Sequence, residues 1–257
     1  MIKMTFKINT HENVYIPAED SYLLAENLEI KEGQSVLEIG TGSGIVAMYA
    51  SKLTDKVTAT DINFDAITVA EENFKNNDID NIELLFGNLF EPVKNRKFDV
   101  ILFNTPYLPT EEGEVIDSNL NYAFDGGLNG RKVIDLFLNE VKNHLNDGGI
   151  VQLIQSSFSD NDETLNRLDE LGFIAEIAKK EHYFFEDITL INAYKIWKRW
   201  LKMEVWKTSV ITGIGLIILG IIFIILRGHI SIWLAIVIIL GIIDIALGLF
   251  RKKVGEN

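Results

Sequence analysis

Residues 36–44 read Val-Leu-Glu-Ile-Gly-Thr-Gly-Ser-Gly, an apolar run that passes directly into three alternate glycines. Similar short apolar runs recur through residues 1–197, and they alternate with stretches in which apolar residues have helical spacing. This alternation is typical of a parallel sheet that is covered by helices on both faces. We therefore predict a doubly wound α/β domain with seven strands, at residues 35–39, 56–60, 82–86, 98–103, 149–155, 173–180 and 188–197. The helices are predicted at residues 18–28, 44–52, 65–77, 130–145 and 161–171.

The composition restricts the chemistry that the chain can perform. Its 257 residues suffice for one α/β domain with a small appendage. The absence of cysteine excludes disulfides, thiolate metal sites and cysteine nucleophiles, and the four histidines are too scattered to predict a metal site. Residues 1–194 carry a net charge of −19, whereas residues 195–257 carry +6. The acidic part should repel nucleic-acid phosphates and attract a basic protein, although acidity that serves solubility explains the charge equally well.

The composition changes near residue 195, where long apolar stretches begin. Residues 208–226 contain no charged side chain, and residues 230–250 contain only Asp244. Helices of these lengths match the hydrocarbon core of a bilayer, which is about 30 Å thick. The alternative is a buried soluble hairpin, but the rest of the chain offers nothing to cover two such helices. We therefore predict a two-helix transmembrane hairpin.

The charges beside this hairpin predict its orientation. The connecting turn has only Arg227 and His229, whereas cations precede the first predicted span and follow the second: Lys195, Lys198, Arg199, Lys202, Lys207, Arg251, Lys252 and Lys253. The positive-inside rule then places both termini and the catalytic domain in the cytoplasm, at the cell membrane. The predicted division is a catalytic domain at 1–197, a basic and aromatic linker at 198–207, the hairpin at 208–250 (spans 208–226 and 230–250) and a cytoplasmic tail at 251–257.

The glycine run predicts a ligand site. Gly40, Gly42 and Gly44 allow the backbone to approach a ligand closely, and the helix that begins there offers unpaired N–H groups. The third glycine comes one residue earlier than in the Gly-x-Gly-x-x-Gly pattern of dinucleotide sites. Glu38 precedes the first glycine by two residues and suits the ammonium group of a methionine-like ligand. S-adenosylmethionine is such a ligand, whereas a loop that merely turns the chain is the alternative.

The next two strand ends favour this cofactor over a plain turn. Asp61 ends the strand after the glycine run, where a carboxylate can accept hydrogen bonds from both ribose hydroxyls. Asn88 and Leu89 follow the third strand, where the amide can contact the adenine amino edge and the leucine can pack on the ring. Suitable groups at three consecutive strand ends rarely arise by accident, so the sequence predicts a site for S-adenosylmethionine.

The fourth strand ends in Asn104-Thr105-Pro106-Tyr107, which suits a planar nitrogen acceptor. The nitrogen of an amide or of the adenine amino group is a poor nucleophile because its lone pair is conjugated. We expect Asn104 Oδ1 and the Thr105 carbonyl to accept its two hydrogens. Pro106 would stiffen the turn, and the Tyr107 ring would stack on the acceptor. Transfer would then depend on positioning and electrostatics, and the Thr105 hydroxyl would be dispensable, so that Thr105→Pro should be tolerated.

These residues resemble a known family. Residues 38–44 and the Asn104–Tyr107 segment are similar to the class I, Rossmann-like methyltransferases that carry an Asn-Pro-Pro-Tyr motif. Residues 14–21, Val-Tyr-Ile-Pro-Ala-Glu-Asp-Ser, and 126–131, Gly-Gly-Leu-Asn-Gly-Arg, resemble HemK-type glutamine methyltransferases. The closer resemblance is to the single-domain archaeal and eukaryotic branch that modifies class I release factors, and it covers roughly residues 5–197.

The resemblance implies N5-methylation, with S-adenosylmethionine, of the glutamine in the Gly-Gly-Gln loop of a peptide chain release factor. It also implies support by a small zinc-binding activator protein. By position, it assigns cofactor contacts to Ser21, Glu38, Gly40, Asp61, Asn88, Leu89 and Asn104, and acceptor contacts to Asn104, Thr105, Pro106 and Tyr107. Two residues depart from the family pattern, since Thr105 replaces its first proline and Asn88 stands where aspartate is usual.

Two other functions compete with this interpretation. An N6-adenine methyltransferase acting on DNA or RNA would use the same acceptor motif, but the acidic charge and the absence of an evident nucleic-acid-reading domain argue against it. A membrane-anchored binding module without activity is the second alternative. The intact Glu38, Asp61, Asn104 and Tyr107 argue against that one.

Overall fold

The computed structural model describes residues 5–111, 118–183, 185–195, 209–219, 221 and 232–255. The chain divides into two compact units, Met1–Lys195 and Ile196–Asn257. The first unit contains one seven-stranded sheet with strand order β3-β2-β1-β4-β5-β7-β6. Its strands are β1 (Val36–Ile39), β2 (Val57–Asp61), β3 (Ile82–Phe86), β4 (Phe98–Asn104), β5 (Leu145–Ser156), β6 (Phe173–Tyr183) and β7 (Glu186–Lys195).

The α-helices of this unit are α1 (Glu19–Ala25), α2 (Ile45–Ala50), α3 (Phe64–Asn76), α4 (Lys132–His144) and α5 (Asn161–Glu170). Short 3₁₀ helices occupy Glu91–Val93, Asn119–Ala123 and Ser157–Ser159. The first five strands pair in parallel, and β7 runs antiparallel to both β5 and β6. The predicted seven-stranded sheet with helices is therefore confirmed, but the sheet is mixed and not wholly parallel, because β7 runs antiparallel to both of its neighbours. β5 begins four residues before its predicted start because Leu145 already pairs with Phe98.

The sheet is buried on both faces, as β4 illustrates. Val100 and Leu102 belong to one apolar core cluster, whereas Ile101 and Phe103 belong to another. Successive side chains of a strand point to opposite faces, so alternate residues of β4 enter different cores. A strand with two buried faces needs an unbroken apolar sequence, which explains why β4 lacks the polar alternation of a half-exposed strand.

The strand order creates a crevice at the carboxyl ends of β1 and β4. The chain leaves β1 toward β2 on one side and returns to β4 on the other, which is the topological switch point where open α/β sheets bind ligands. Ile39 pairs with Phe103, so the next residues of the two strands, Gly40 and Asn104, emerge at the same edge of the sheet. The strand register thus brings the glycine run and the acceptor motif together.

The loop at 126–131 supports the segment that follows β4. The Gly126 N–H donates to the Leu108 carbonyl at 2.9 Å. Gly130 has φ +70°, and an added Cβ there would lie 2.4 Å from the carbonyl oxygen of Tyr107. The buried Arg131 guanidinium donates to the carbonyl oxygens of Ser159 and Asp160 and so ties the loop to the start of α5.

The second unit corrects the membrane prediction. Helical structure occurs at residues 209–219 and at Ile232–Gly255. A membrane span needs about 20 predominantly apolar residues in one helix. Asp244, in the second of these helices, accepts a hydrogen bond from Thr212 Oγ1 at 3.1 Å.

Within the described part of the chain, no helix is both long enough and apolar enough to cross a bilayer. The predicted location in the cell membrane with two spans is therefore wrong, and the predicted transmembrane hairpin has no support in the described residues. Several of the segments concerned lie wholly or partly outside the described residues: the linker 198–207, the remainder of the first predicted span, the turn 227–229, the start of the second span and the last two residues of the tail.

The close approach at Gly130 gives a stability prediction. Gly130→Ala should lower the melting temperature more than Gly172→Ala. Both positions have positive φ, which costs an alanine roughly 1–2 kcal/mol, but a Cβ at Gly172 has nothing within 4 Å. Thermal unfolding of the two variants checks this, with about 2–4 °C expected for each additional kcal/mol. Equal melting temperatures would show that the contact with Tyr107 costs nothing.

Candidate active site

A cavity of about 290 Å³ opens at the carboxyl ends of the central strands. Its wall includes all the predicted site residues except Gly44: Ser21, Glu38, Gly40, Gly42, Asp61, Asn88, Leu89, Asn104, Thr105, Pro106 and Tyr107. Gly44 instead begins α2 with φ +84°, and an added Cβ would lie 2.5 Å from the Phe74 ring. Close packing between α2 and α3 therefore accounts for the third glycine.

Asp61 shapes the glycine loop. Its Oδ2 accepts the Gly42 N–H at 2.9 Å, and its Oδ1 accepts the Asn63 N–H at 2.8 Å. Gly42 has φ +55° and open space where a Cβ would stand, so the backbone is accessible there. Glu38 lies beside the same loop, and its Oε2 accepts the Thr41 hydroxyl at 2.6 Å.

The cavity is acidic. Its described wall includes the four acids Asp20, Glu38, Asp61 and Glu186, but no lysine, arginine or histidine. Burial, together with a smaller contribution from the nearby charge of Asp61, raises the pKa of Glu38 to about 8. Burial likewise raises the pKa of Asp61. Negative charge is thus unfavourable in the free protein, and a cationic ligand would relieve the penalty.

Asn104 has one satisfied and one unsatisfied amide atom. Its Nδ2 donates to Asp20 Oδ2 at 3.0 Å and lies 3.5 Å from Ser21 Oγ. Its Oδ1 is buried and has no hydrogen-bond partner among the described residues. An unpaired buried acceptor is unfavourable unless a ligand supplies the donor, so this atom marks a contact point for an N–H group.

Asp20 is the site residue that sequence reasoning missed. It is 6% exposed and accepts hydrogen bonds from the Tyr15 hydroxyl at 3.0 Å and the Tyr107 hydroxyl at 3.3 Å. Burial, followed by the charge of Asp20, raises the pKa of both tyrosines, so both phenols remain protonated donors. Asp20 lies within the segment 14–21 that carried the family resemblance, but no sequence signal paired it with Asn104.

The sequence of this chain is similar to those of known proteins. The family model described as the methyltransferase small domain matches residues 5–185. The chain belongs to this family.

Its relatives cover nearly the same region. A protein of Methanocaldococcus jannaschii, provisionally named a protein N5-glutamine methyltransferase, is 48% identical over 191 residues, which are 74% of this chain and 96% of the relative. The human methyltransferase HEMK2 is 30% identical over 71% of this chain and 90% of its own length.

A solved structure of the E. cuniculi Mtq2–Trm112 complex, described as responsible for the methylation of the eRF1 translation termination factor, is also similar. It has 28% identity and a TM-score of 0.55, over 71% of this chain and 99% of the matched chain.

Thr105 has a structural role in this methyltransferase that the sequence did not indicate. Its hydroxyl donates to the Ile154 carbonyl at 2.8 Å, and its N–H donates to the same oxygen at 3.3 Å. The residue is buried and ties the end of β4 to β5. The hydroxyl therefore has a structural contact, whereas the tolerance of Thr105→Pro in catalysis stays a prediction.

These two bonds predict a ranked effect on stability. Thr105→Val removes the hydroxyl and should cost about 1 kcal/mol, whereas Thr105→Pro removes both donors from a buried carbonyl and should cost about 1–3 kcal/mol. Denaturant unfolding measures both. Thr68→Val is the control, since its exposed hydroxyl bonds only a carbonyl of its own helix, and it should cost less. A Thr105→Pro variant as stable as wild type would contradict the assignment.

The buried Glu38 predicts a pH-dependent stability. Its pKa rises from an ordinary 4.5 to about 8 on folding, so the folded state holds its proton more tightly. Stability contributed by the protonated form is present below pH 4.5 and is lost as the pH rises toward 8. Glu38→Gln removes this titration, and it should raise the melting temperature at pH 8.5 by about 2–4 °C per kcal/mol of relieved penalty.

At pH 4.5 the same Glu38→Gln variant should differ little from wild type. Glu72→Gln, which removes an exposed carboxylate from α3, controls for net charge and should give the same small effect at both pH values. If Glu38→Gln is no more stable than wild type at the higher pH, the ionised Glu38 carboxylate does not destabilise the folded protein.

Proposed function

We propose that this chain transfers a methyl group from S-adenosylmethionine to the side-chain amide nitrogen of a glutamine, in the Gly-Gly-Gln loop of a peptide chain release factor. The observation that carries the proposal is the buried Oδ1 of Asn104 at the wall of an acidic cavity, since this atom has no hydrogen-bond partner in the described part of the chain. That atom accepts one N–H of a planar amide. The names of the relatives, which include N5-glutamine and release-factor methylation, support the same acceptor.

The cavity fits the cofactor by charge and shape. S-adenosylmethionine carries a positive sulfonium and an ammonium group, and it supplies an electrophilic methyl group when bound. Glu38 and the backbone at Gly40 and Gly42 would hold the amino-acid end, and Asp61 would accept from the ribose hydroxyls. Asn88 and Leu89 border the cavity where the adenine would lie, and Ser21 lies beside Asn104. The acidic wall, to which the described residues contribute no cation, suits this charged ligand.

The acceptor residues position a weak nucleophile. Asn104 Oδ1 and the Thr105 carbonyl would accept the two hydrogens of the amide nitrogen and direct its lone pair toward the methyl group. Pro106 restricts the turn, and the Tyr107 ring is held by its bond to Asp20. Catalysis would come from positioning and fixed electrostatics, since no strong base is required to prepare the nitrogen.

A small activator protein is part of the proposal. The similar Mtq2 structure is a complex with Trm112, and the family resemblance implies a zinc-binding partner of this kind. We also propose that residues 1–197 contain the whole catalytic domain, because the described cavity wall runs from Asn13 to Glu186.

An adenine acceptor in DNA or RNA is the second candidate. The same Asn104 acceptor and Tyr107 ring could hold the adenine amino group. The four acids of the cavity wall disfavour the phosphates that such a substrate brings, because nucleic-acid binding depends on cations.

Mass spectrometry of methylated products tests the function. Purified chain, activator and labelled cofactor should add one methyl group to the glutamine of the release factor and leave DNA and RNA oligonucleotides unmodified. Asn104→Ala should abolish transfer but leave cofactor affinity, measured by calorimetry, largely unchanged. Asn146→Ala, which loses a bond to Asp99 at the opposite end of the sheet, should retain transfer. Methylated adenine without methylated glutamine would favour the second candidate.

A further inference from the structure

We propose that Asp20 is a positioning residue for methyl transfer: its carboxylate sets the orientation of the Asn104 amide, so that Oδ1 and not Nδ2 faces the acceptor nitrogen. The inference rests on the proposed function and adds a residue that holds the acceptor group in place.

The two ends of an asparagine amide have nearly the same size, so their partners decide which end faces the cavity. A carboxylate can only accept hydrogen bonds, as can the amide oxygen. Asp20 Oδ2 lies 3.0 Å from Asn104 Nδ2, an arrangement that is favourable only in the observed orientation. The opposite orientation would place the amide oxygen against the carboxylate and turn the two amide hydrogens toward the acceptor nitrogen, which itself donates.

The carboxylate is itself fixed by the residues around it. Its Oδ1 accepts the Ser21 N–H at 2.6 Å, the Ser21 hydroxyl at 3.2 Å and the Tyr15 hydroxyl at 3.0 Å. Its Oδ2 accepts from Asn104 and from the Tyr107 hydroxyl. These donors hold a nearly buried group in one position, so its influence on Asn104 is directional.

One carboxylate therefore connects the two side chains that the acceptor would touch. The Asn104 amide and the Tyr107 phenol both donate to the same oxygen, Asp20 Oδ2. The phenol oxygen and the amide nitrogen are thereby held at the same carboxylate oxygen before any acceptor arrives. Such preorganisation matters for a weak nucleophile, whose rate depends on geometry.

Asp20→Asn tests this role. The new amide can offer an N–H to Asn104 Oδ1 and so stabilise the reversed orientation. We expect kcat to fall about 100-fold, the size of effect seen when one electrostatic contact to a transition state is lost. The KM and the calorimetric affinity for S-adenosylmethionine should stay within about two-fold of wild type. Glu19→Gln is the matched control, since it removes an exposed carboxylate from the adjacent residue of α1, and it should leave kcat unchanged.

A second measurement is independent of any acceptor. The side-chain NH₂ signals of Asn104, assigned in ¹⁵N-labelled protein by their loss in Asn104→Ala, should shift in Asp20→Asn and stay in place in Glu19→Gln. Unchanged signals, unchanged kcat, or a parallel loss of cofactor affinity and folding would each overturn the positioning role. If wild type methylates no glutamine although the signals shift as expected, the proposed function fails and the orienting contact stands.

Discussion

The parallel pairing of β1 with β4 is the constraint on which the site depends. Because Ile39 lies beside Phe103, the glycine loop and the Asn104 motif leave the sheet at one edge, although 64 residues separate them in sequence. Contacts from neighbouring strands and loops then complete the cavity. Asp61 shapes the loop from β2, the Thr105 hydroxyl ties the end of β4 to β5, and the turn at Gly130 fits closely beneath the Tyr107 carbonyl.

The cavity groups proposed to bind the reactants destabilise the free protein. Glu38 and Asp61 are buried without a cation in the described wall, and Asn104 Oδ1 is buried without a donor from any residue that the structure describes. Each is unfavourable in the free protein, and each is complementary to one part of the proposed reactants, a cationic cofactor and an amide N–H group. The free protein thus holds buried polar groups whose interaction partners would come from the ligands. Such locally unfavourable groups are expected at a functional site.

The sequence predicted the sheet because seven apolar runs alternated with helical patterns, and it predicted Glu38, Asp61 and Asn104 because each stands at a strand end. It did not predict Asp20, because that residue meets Asn104 across 84 residues, or the bond of the Thr105 hydroxyl to β5. Gly44 matched a ligand pattern but packs on Phe74. The membrane prediction rested on apolar composition alone, and in the described part of the chain no helix is long and apolar enough to cross a bilayer.

In the proposed reaction, Asn104 Oδ1 accepts a hydrogen bond from the N–H of the acceptor amide. The most direct measurement is a crystal structure of the chain with S-adenosylhomocysteine and a peptide that contains Gly-Gly-Gln. We expect a distance of about 2.7–3.2 Å between the glutamine Nε2 and Asn104 Oδ1, with Asn104 Nδ2 still bonded to Asp20. A glutamine bound elsewhere, or an Asn104 amide turned so that Nδ2 faces the peptide, would contradict it.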